Sequence, residues 1–280
     1  MVGEYRLRAL VPEALMHADE HLLACTEDDH RPPVVLIHAF PLDGRMWAAQ
    51  RRDLASRTRV LVPDLPGFGA SAGHPARPDL DTWADALERM LSGRLGPRPA
   101  IVCGLSMGGY VALRLADRHP ERLAGLVLAD TRARADDEAG RRARDEAIHS
   151  VSTRGVATLV DTLLPKLLAE TSPHALHRRV RELALQQSPG AVIAALGAMR
   201  DRPDSTPVLE SLRVPTLVVV GELDTLTPPE EAAAMAARIP DGRLEVVEAA
   251  GHLSSLERPD TFTAAVGGLV DRVARAAAVS

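Results

Sequence analysis

The 280-residue sequence has few cysteines, few aromatic residues and almost no lysine. Its two cysteines, Cys25 and Cys103, can form neither a disulfide framework nor a C-x-x-C metal motif, so we expect a reducing, cytoplasmic setting. Residues 1–10 contain three charged side chains and no apolar core of a signal peptide, so we do not expect export. No stretch of 18 apolar residues without a charge occurs, which argues against a transmembrane helix.

The charge balance gives no sign of a polyanion-binding protein. The formal net charge is −5, and Lys166 is the only lysine among 33 basic residues. The negative net charge and the pI near 6.1 predict no nucleic-acid partner and no membrane partner. No lysine follows the glycines at 104–109, and these glycines do not follow the first strand, so nucleotide binding is not indicated either.

Short apolar runs alternate with longer helical patterns, which predicts an α/β fold with a mostly parallel central sheet flanked by helices. The predicted strands, apolar nearly throughout as expected for strands buried on both faces, are 33–38, 59–63, 100–104, 123–129, 216–221 and 244–248. The predicted helices are 47–56, 79–95, 106–118, 230–239 and 260–276. Two weaker runs, 5–10 and 21–26, are candidates for an antiparallel edge pair.

One long segment, residues 132–204, has helical patterning but no strand pattern. It predicts a helical cap inserted after the sixth strand, broken into short helices by Pro165, Pro173 and Pro189. The chain would then consist of a core domain, residues 1–131 and 205–280, and a cap, residues 132–204. Such a cap would lie over the carboxyl edge of the sheet, where ligands bind in folds of this type.

The cap sequence has a charged part and an apolar part. Its dense charge run, residues 132–146, is expected to be a solvated helix face. Its leucines have the spacing of an apolar helix face, and Leu163, Leu167 and Met199 are candidates to line a substrate pocket, although ordinary packing against the core would give the same pattern.

The strongest local motif is the G-x-S-x-G sequence at residues 104–108, which places Ser106 between a predicted strand and a predicted helix. A sharp turn of this kind needs glycines beside the serine and presents the serine hydroxyl at the top of the sheet. Ser106 is therefore the candidate nucleophile. A glycine-rich turn in which Ser106 only caps the helix is the alternative.

A serine nucleophile needs a base, and the base needs a carboxylate that orients it. His252 follows the last predicted strand and Asp224 follows the strand before it, so both would reach the edge of the sheet where Ser106 lies. Asp130 and Glu222 are rival carboxylates because they also follow strands. The chain order Ser106, Asp224, His252 is that of a Ser-Asp-His hydrolase triad.

Acyl transfer also needs N–H donors for the oxyanion. The residue after the nucleophile supplies one, here Met107, and the loop after an early strand supplies the other, for which Phe40 is the candidate. His38, two residues earlier, is expected to brace that loop rather than to take part in catalysis.

With these residues the chain resembles the α/β-hydrolase superfamily over nearly its whole length. The matching segments are His38-Ala39-Phe40-Pro41, residues 64–71 (D-x-x-G-x-G-x-S), 104–109, 221–224 and Gly251-His252. The resemblance is strongest to small-molecule esterases, 3-oxoadipate enol-lactone hydrolases and cofactor-free perhydrolases. One departure is Ala39, where the family usually has glycine.

The resemblance implies a serine hydrolase that cleaves a small ester or lactone through an acyl-enzyme on Ser106, without a metal or an organic cofactor. A perhydrolase, a carbon–carbon bond hydrolase and a lyase could use the same triad, and the sequence leaves them open. A non-catalytic receptor on the same fold is the remaining alternative, but neither the triad nor the oxyanion loop is broken. The sequence indicates no oligomeric state.

Overall fold

The computed structural model of the protein describes residues 18–20, 31–72 and 79–278. The predicted strands at 5–10 and 21–26, together with Cys25, lie outside these residues. Within them, none of the helices combines the length and the apolar composition that crossing a membrane requires.

The predicted parallel sheet is confirmed. The described strands are β1 (Ala18–Glu20), β2 (Val34–Ile37), β3 (Val60–Pro63), β4 (Ala100–Leu105), β5 (Leu123–Ala129), β6 (Thr216–Gly221) and β7 (Gly242–Val247). They form one sheet in the order β1-β3-β2-β4-β5-β6-β7, in which only β1 runs antiparallel to its neighbour. Strands β2, β3, β4 and β6 are buried along their whole length, as their Val-, Ile- and Leu-rich sequences predict.

Helices connect the strands and pack on the sheet. They are α1 (Ala48–Leu54), α2 (Leu80–Leu95), α3 (Met107–Arg118), α4 (Glu138–Arg154), α5 (Val156–Leu167), α6 (His174–Leu185), α7 (Pro189–Arg200), α8 (Thr206–Ser211), α9 (Pro229–Arg238), α10 (Ser254–Glu257) and α11 (Pro259–Ala277). Helix α2 packs against α3 and helix α1 against α11, while α3, α9 and α11 contact strands of the sheet. The largest fully buried side chains, Trp47, Trp83, Phe68 and Phe262, belong to this core.

The prediction that the last strand is buried on both faces is wrong. Strand β7 pairs with β6 at the edge of the sheet, and its residues 243–246 are exposed. Leu244 and Val246 keep 38% and 40% of their surface accessible. The apolar character of a short run does not distinguish a central strand from an edge strand, because both carry branched side chains.

Five helices, α4 to α8, lie between β5 and β6. Helices α4 to α7 fall within residues 132–204, the segment for which the sequence predicts a helical insertion. Strand β5 is the fifth described strand; the predicted count of six included both candidates before residue 30. Pro173 directly precedes α6 and Pro189 is the first residue of α7, as predicted. Pro165 does not end a helix but lies within the last turn of α5.

The charge run at 132–146 is not wholly a solvated helix face. Helix α4 begins only at Glu138, capped by Asp137, and the segment before it carries a buried ion pair. Asp136 and Arg202 meet at 2.8 Å with side chains that are 7% and 2% exposed. Arg202 also stacks on the ring of Tyr110, 4.2 Å from its centre, so this pair joins the insertion to α3.

The turn from β4 into α3 is formed by unusually close backbone contacts. A Cβ atom on Gly104 would overlap the carbonyl oxygen of Gly108, and a Cβ atom on Gly108 would overlap the carbonyl oxygen of Ile37. Neither neighbour is a flexible side chain, so the backbone itself would have to move. The two glycines thus allow the first turn of α3 to pack directly on β2 and β4.

We expect Gly104→Ala to lower the free energy of unfolding by about 3 kcal/mol, because the added methyl group meets backbone atoms that cannot give way. Gly268, exposed in the interior of α11, is the matched control, since nothing lies within 4 Å of the position that an added methyl group would take. There the same substitution should stabilise by up to about 1 kcal/mol. Urea denaturation of both variants measures the difference, and equal effects would contradict the packing argument.

Candidate active site

Ser106 occupies the strained position of the β4–α3 turn. Its φ is +55° and its ψ is −112°, in a region that residues with a side chain rarely adopt. The backbone around it is fixed by β5, since Ser106 N–H donates to Ala129 O at 2.9 Å. The Thr131 hydroxyl donates to Ser106 O at 2.8 Å. The strained conformation of Ser106 is thus maintained by hydrogen bonds to β5 and to the residue that follows it closely, Thr131.

The structure brings Ser106, His252 and Asp224 into a single hydrogen-bonded chain. His252 Nε2 lies 2.9 Å from Ser106 Oγ, and His252 Nδ1 lies 2.8 Å from Asp224 Oδ2. A carboxylate can only accept, so the Nδ1 proton of His252 points to Asp224 and Nε2 is free to accept the Ser106 proton. The histidine and the aspartate are buried, at 3% exposure each.

Asp224 is held as an anion by its surroundings. Burial acts to raise its pKa, but the charge and hydrogen bond of His252, with hydrogen bonds from Thr227, hold that pKa below its ordinary value. The Thr227 hydroxyl donates to Oδ2 at 2.5 Å, while the N–H groups of Thr227 and Leu226 donate to Oδ1 at 3.0 and 2.8 Å. These three hydrogen bonds fix the orientation of the carboxylate, so that Oδ2 also faces His252 Nδ1.

The rival carboxylates have other partners. Asp130, which is fully buried, accepts from Gly221 N–H at 2.8 Å and from the Ser254 hydroxyl at 2.5 Å. Burial and the nearby charge of Asp224 raise the pKa of Asp130 well above its ordinary value. Glu222 is exposed and accepts from Ala249 N–H at 2.9 Å. Among the three carboxylates, Asp224 is the one that accepts the hydrogen bond from His252 Nδ1.

The two candidate oxyanion donors come from different elements, the first turn of α3 and the loop after β2. Met107 is the first residue of α3, so its N–H is among the helix donors that have no acceptor within the helix. Phe40 lies in the loop after β2 and lines the same cavity as Ser106. The peptide bond from Phe40 to Pro41 is cis. The Ala39 N–H, in the same loop, is directed to Met46 Sδ at 3.2 Å.

His38 braces this loop. Its Nε2 accepts the N–H of Leu65 at 3.0 Å, which leaves the Nδ1 proton for the carbonyl oxygen of Ala39, also at 3.0 Å. Its ring packs against Phe68, and burial lowers its pKa. Asp64, the first residue of the D-x-x-G-x-G-x-S segment, supports the same region by accepting from Gly44 N–H and Ala70 N–H, both at 2.7 Å.

A cavity of about 630 Å³ opens above Ser106. Its lining includes Phe40, Ser106, Tyr110, Leu196, Leu226 and His252. The insertion supplies most of the remaining wall, from α4, α5 and α7. The three pocket residues proposed from the sequence, Leu163, Leu167 and Met199, are all part of this lining.

The charged part of the lining was not expected from the sequence. Arg132, Arg144, Arg154 and Lys166 contribute to the cavity wall together with Asp136 and Glu146. Arg144 is paired with Asp136 at 3.2 Å. The charge run is visible in the sequence, but no periodic signal indicates which of its members turn inward. In the described part of the chain, no group of three or more His, Cys, Asp or Glu side chains is placed to hold a metal ion.

Comparison with known proteins identifies the family. Residues 32–259 match the model of the α/β-hydrolase fold family. The chain is 34% identical to a pimeloyl-[acyl-carrier protein] methyl ester esterase of Aromatoleum aromaticum over 82% of its own length and 95% of that protein. It is 26% identical to a 3-oxoadipate enol-lactonase of Acinetobacter baylyi, over 88% and 91% of the two chains.

A solved structure agrees with these sequence matches. An esterase from Thermogutta terrifontis superposes with a TM-score of 0.86 at 37% identity, covering 92% of this chain and 93% of that one. The resemblance stated from the sequence is thereby confirmed. The chain belongs to the α/β-hydrolase family and is an enzyme of its carboxylic ester hydrolase type.

Proposed function

We propose that the protein is a serine hydrolase that cleaves a small carboxylic ester through an acyl-enzyme on Ser106. The observation that carries the proposal is the hydrogen-bonded chain from Ser106 Oγ through His252 to Asp224, with distances of 2.9 and 2.8 Å. A hydroxyl in contact with an imidazole, itself oriented by a buried carboxylate, is the arrangement that activates serine for acyl transfer.

In the first half of the reaction, His252 accepts the Ser106 proton as the hydroxyl oxygen attacks the ester carbonyl. The Met107 and Phe40 N–H groups stabilise the resulting oxyanion, each by roughly 3–4 kcal/mol if they act as such donors do elsewhere. Collapse of the tetrahedral intermediate transfers the proton from His252 to the departing alkoxide. The alcohol leaves and the acyl group stays on Ser106.

In the second half, water replaces the alcohol. His252 removes a proton from the water as its oxygen attacks the acyl carbonyl, and then returns that proton to Ser106 Oγ as the acid leaves. Asp224 stays an anion throughout and stabilises the protonated histidine at each stage. Its lowered pKa suits this role, because the carboxylate must stay charged while the imidazole cycles.

An open-chain ester is the substrate class that we put first, and a lactone second. The relatives from Aromatoleum aromaticum and Chromobacterium violaceum, 34% and 32% identical, are named as methyl ester esterases. The relative named as a lactonase is 26% identical. A panel of methyl esters, p-nitrophenyl esters and lactones, assayed with the purified protein, would rank the two classes directly.

We further propose that residues 132–204 act as a cap that sets acyl-chain selectivity, while the core, built from residues before 132 and after 204, carries the chemistry. Leu163, Leu167 and Met199 are the pocket residues in this proposal. Support comes from the cavity, which is lined by the core residues Ser106 and His252 and, on the insertion side, by residues of α4, α5 and α7. The acyl or alcohol group would therefore contact the cap.

We expect Ser106→Ala to lower kcat for p-nitrophenyl acetate by roughly 10⁴- to 10⁶-fold, because the nucleophile is lost while the fold is kept. Stopped-flow measurement of the wild type should show an initial burst of p-nitrophenolate proportional to enzyme concentration if deacylation is the slower step. Ser56→Ala, in the exposed turn that follows α1, is the matched control and should retain full activity. Full activity of Ser106→Ala would rule out the proposed mechanism.

The cap proposal predicts that Leu163→Trp or Leu167→Trp reduces kcat/KM for long-chain p-nitrophenyl esters by about tenfold relative to the acetate, because the indole fills the cavity. The readout is the chain-length profile from acetate to decanoate. Leu164→Trp is the control: it lies on the same helix, half-buried, but does not line the cavity. A profile unchanged in both Leu163 and Leu167 variants would show that the cap does not limit the acyl chain.

A further inference from the structure

The loop that carries His252 is bound to the helical insertion on both sides of the histidine. On one side, the N–H of Leu253 donates to the carbonyl oxygen of Leu167 at 3.0 Å. On the other side, Gly251 is joined to the insertion through the side chain of Glu257, a residue of α10. His252 therefore lies between two points at which the core and the insertion are connected.

The Glu257 carboxylate is the centre of this connection. Its Oε1 accepts from Gly251 N–H at 2.8 Å. Its Oε2 accepts from Ala169 N–H at 2.8 Å and from the Ser172 hydroxyl at 2.6 Å. The residue is 7% exposed, so a buried carboxylate is matched by three donors, two of which belong to the segment between α5 and α6.

The close fit of the two segments explains the glycine before the histidine. A Cβ atom on Gly251 would lie 2.6 Å from the backbone nitrogen of Ala169 and 2.9 Å from the carbonyl carbon of Leu168. Any larger residue at 251 would push the insertion away from the loop. Gly251 and Glu257 thus both contribute to this contact. Gly251 allows the two backbones to approach, and Glu257 joins them by hydrogen bonds.

We propose that Glu257 is a positioning residue that fixes His252 by binding its loop to the segment at residues 167–172 of the insertion. The proposal rests on the proposed function, in which His252 must stand within hydrogen-bond distance of both Ser106 and Asp224. Asp130 holds the loop from the sheet side, through the Ser254 hydroxyl, and Glu257 holds it from the insertion side. Among the described residues, loss of the Glu257 carboxylate leaves the bond from Leu253 N–H to Leu167 O as the one hydrogen bond between this loop and the insertion.

This arrangement has a specific kinetic consequence. The Glu257 carboxylate touches no reacting group, so its loss should act on the rate of proton transfer by His252 and not on substrate binding. Misplacement of a catalytic group by about 1 Å can cost on the order of 100-fold in rate. We therefore expect Glu257→Ala to lower kcat for p-nitrophenyl acetate by about 10- to 100-fold while KM stays within about twofold of the wild type.

Glu257→Gln should recover part of kcat, because the amide oxygen can replace one carboxylate oxygen and accept the hydrogen bonds made to it, while the amide nitrogen in place of the other oxygen cannot accept any. Ser172→Ala, which removes one donor from the insertion side, should cause a smaller loss of kcat. The rate at which diisopropyl fluorophosphate labels Ser106 should fall in parallel in all three variants, since labelling uses Ser106 and His252 but needs little of the pocket. Melting curves establish that each variant is folded at the assay temperature.

Glu170→Gln is the matched control. Glu170 belongs to the same segment, next to Ala169, but it is exposed, and its substitution should leave both kcat and labelling unchanged. If the Glu257 variants melt at lower temperature but keep wild-type kcat and labelling rates, Glu257 is a structural residue only and the proposal is wrong. Should Glu257→Ala not fold, Glu257→Gln and Ser172→Ala decide: reduced kcat supports the proposal and unchanged kcat contradicts it.

The Ser106→Ala variant separates this inference from the proposed function. Loss of activity in Ser106→Ala together with normal kcat in the Glu257 variants would overturn the positioning role alone. Retained activity in Ser106→Ala would overturn the serine mechanism itself, and with it the reason for positioning His252.

Discussion

The strained backbone of Ser106 is the constraint on which the site depends. A residue held at a φ of +55° is kept there only if the surrounding structure costs more to rearrange than the strain does. Here the surrounding structure is the direct contact of α3 with β2 and β4, made possible by Gly104 and Gly108. The same contact fixes the start of α3, whose first N–H groups would stabilise the oxyanion in the proposed mechanism.

Around this fixed serine, three buried carboxylates hold the remaining loops. Asp224 orients the histidine ring, Asp130 ties the end of β5 to the loops that carry Asp224 and His252, and Glu257 ties the His252 loop to the insertion. Each accepts several hydrogen bonds, so polar groups that would be costly to bury without partners serve to fix the backbone of these loops. The geometry of the candidate site is thus fixed by hydrogen bonds to loops, and the sheet and helices that carry those loops are held together by apolar packing.

The meeting of Ser106, Asp224 and His252 could be predicted from the sequence, because each residue is marked by the short segment around it. Ser106, Asp224 and His252 each follow a recognisable apolar strand, and strands of a parallel sheet end at the same edge. The position of the helical insertion was equally visible, since about 70 residues without a strand pattern interrupt an otherwise regular alternation. The close contact of β4 and α3 was indicated by glycines at fixed spacing.

The remaining features depend on contacts between distant parts of the chain. Glu257 accepts a hydrogen bond from Ala169, which lies 88 residues away in the sequence, and no property of either residue alone indicates this contact. Asp136 belongs to a charge run for which the sequence predicted a solvated helix face, and nothing in that run indicates its buried ion pair with Arg202. The charged lining of the cavity was missed for the same reason: which side of α4 faces inward is decided by packing against α5 and α7, not by its own weak periodicity.

The exposed edge of the sheet has a consequence for the molecule in concentrated solution. Among the described strands β7 pairs only with β6, so one row of its backbone N–H and C=O groups faces outward. Leu244 and Val246 there alternate with Arg243 and Glu245. A second chain that approached this edge to extend the sheet would have to desolvate both charges. Arg243 and Glu245 therefore disfavour aggregation by strand pairing at this edge.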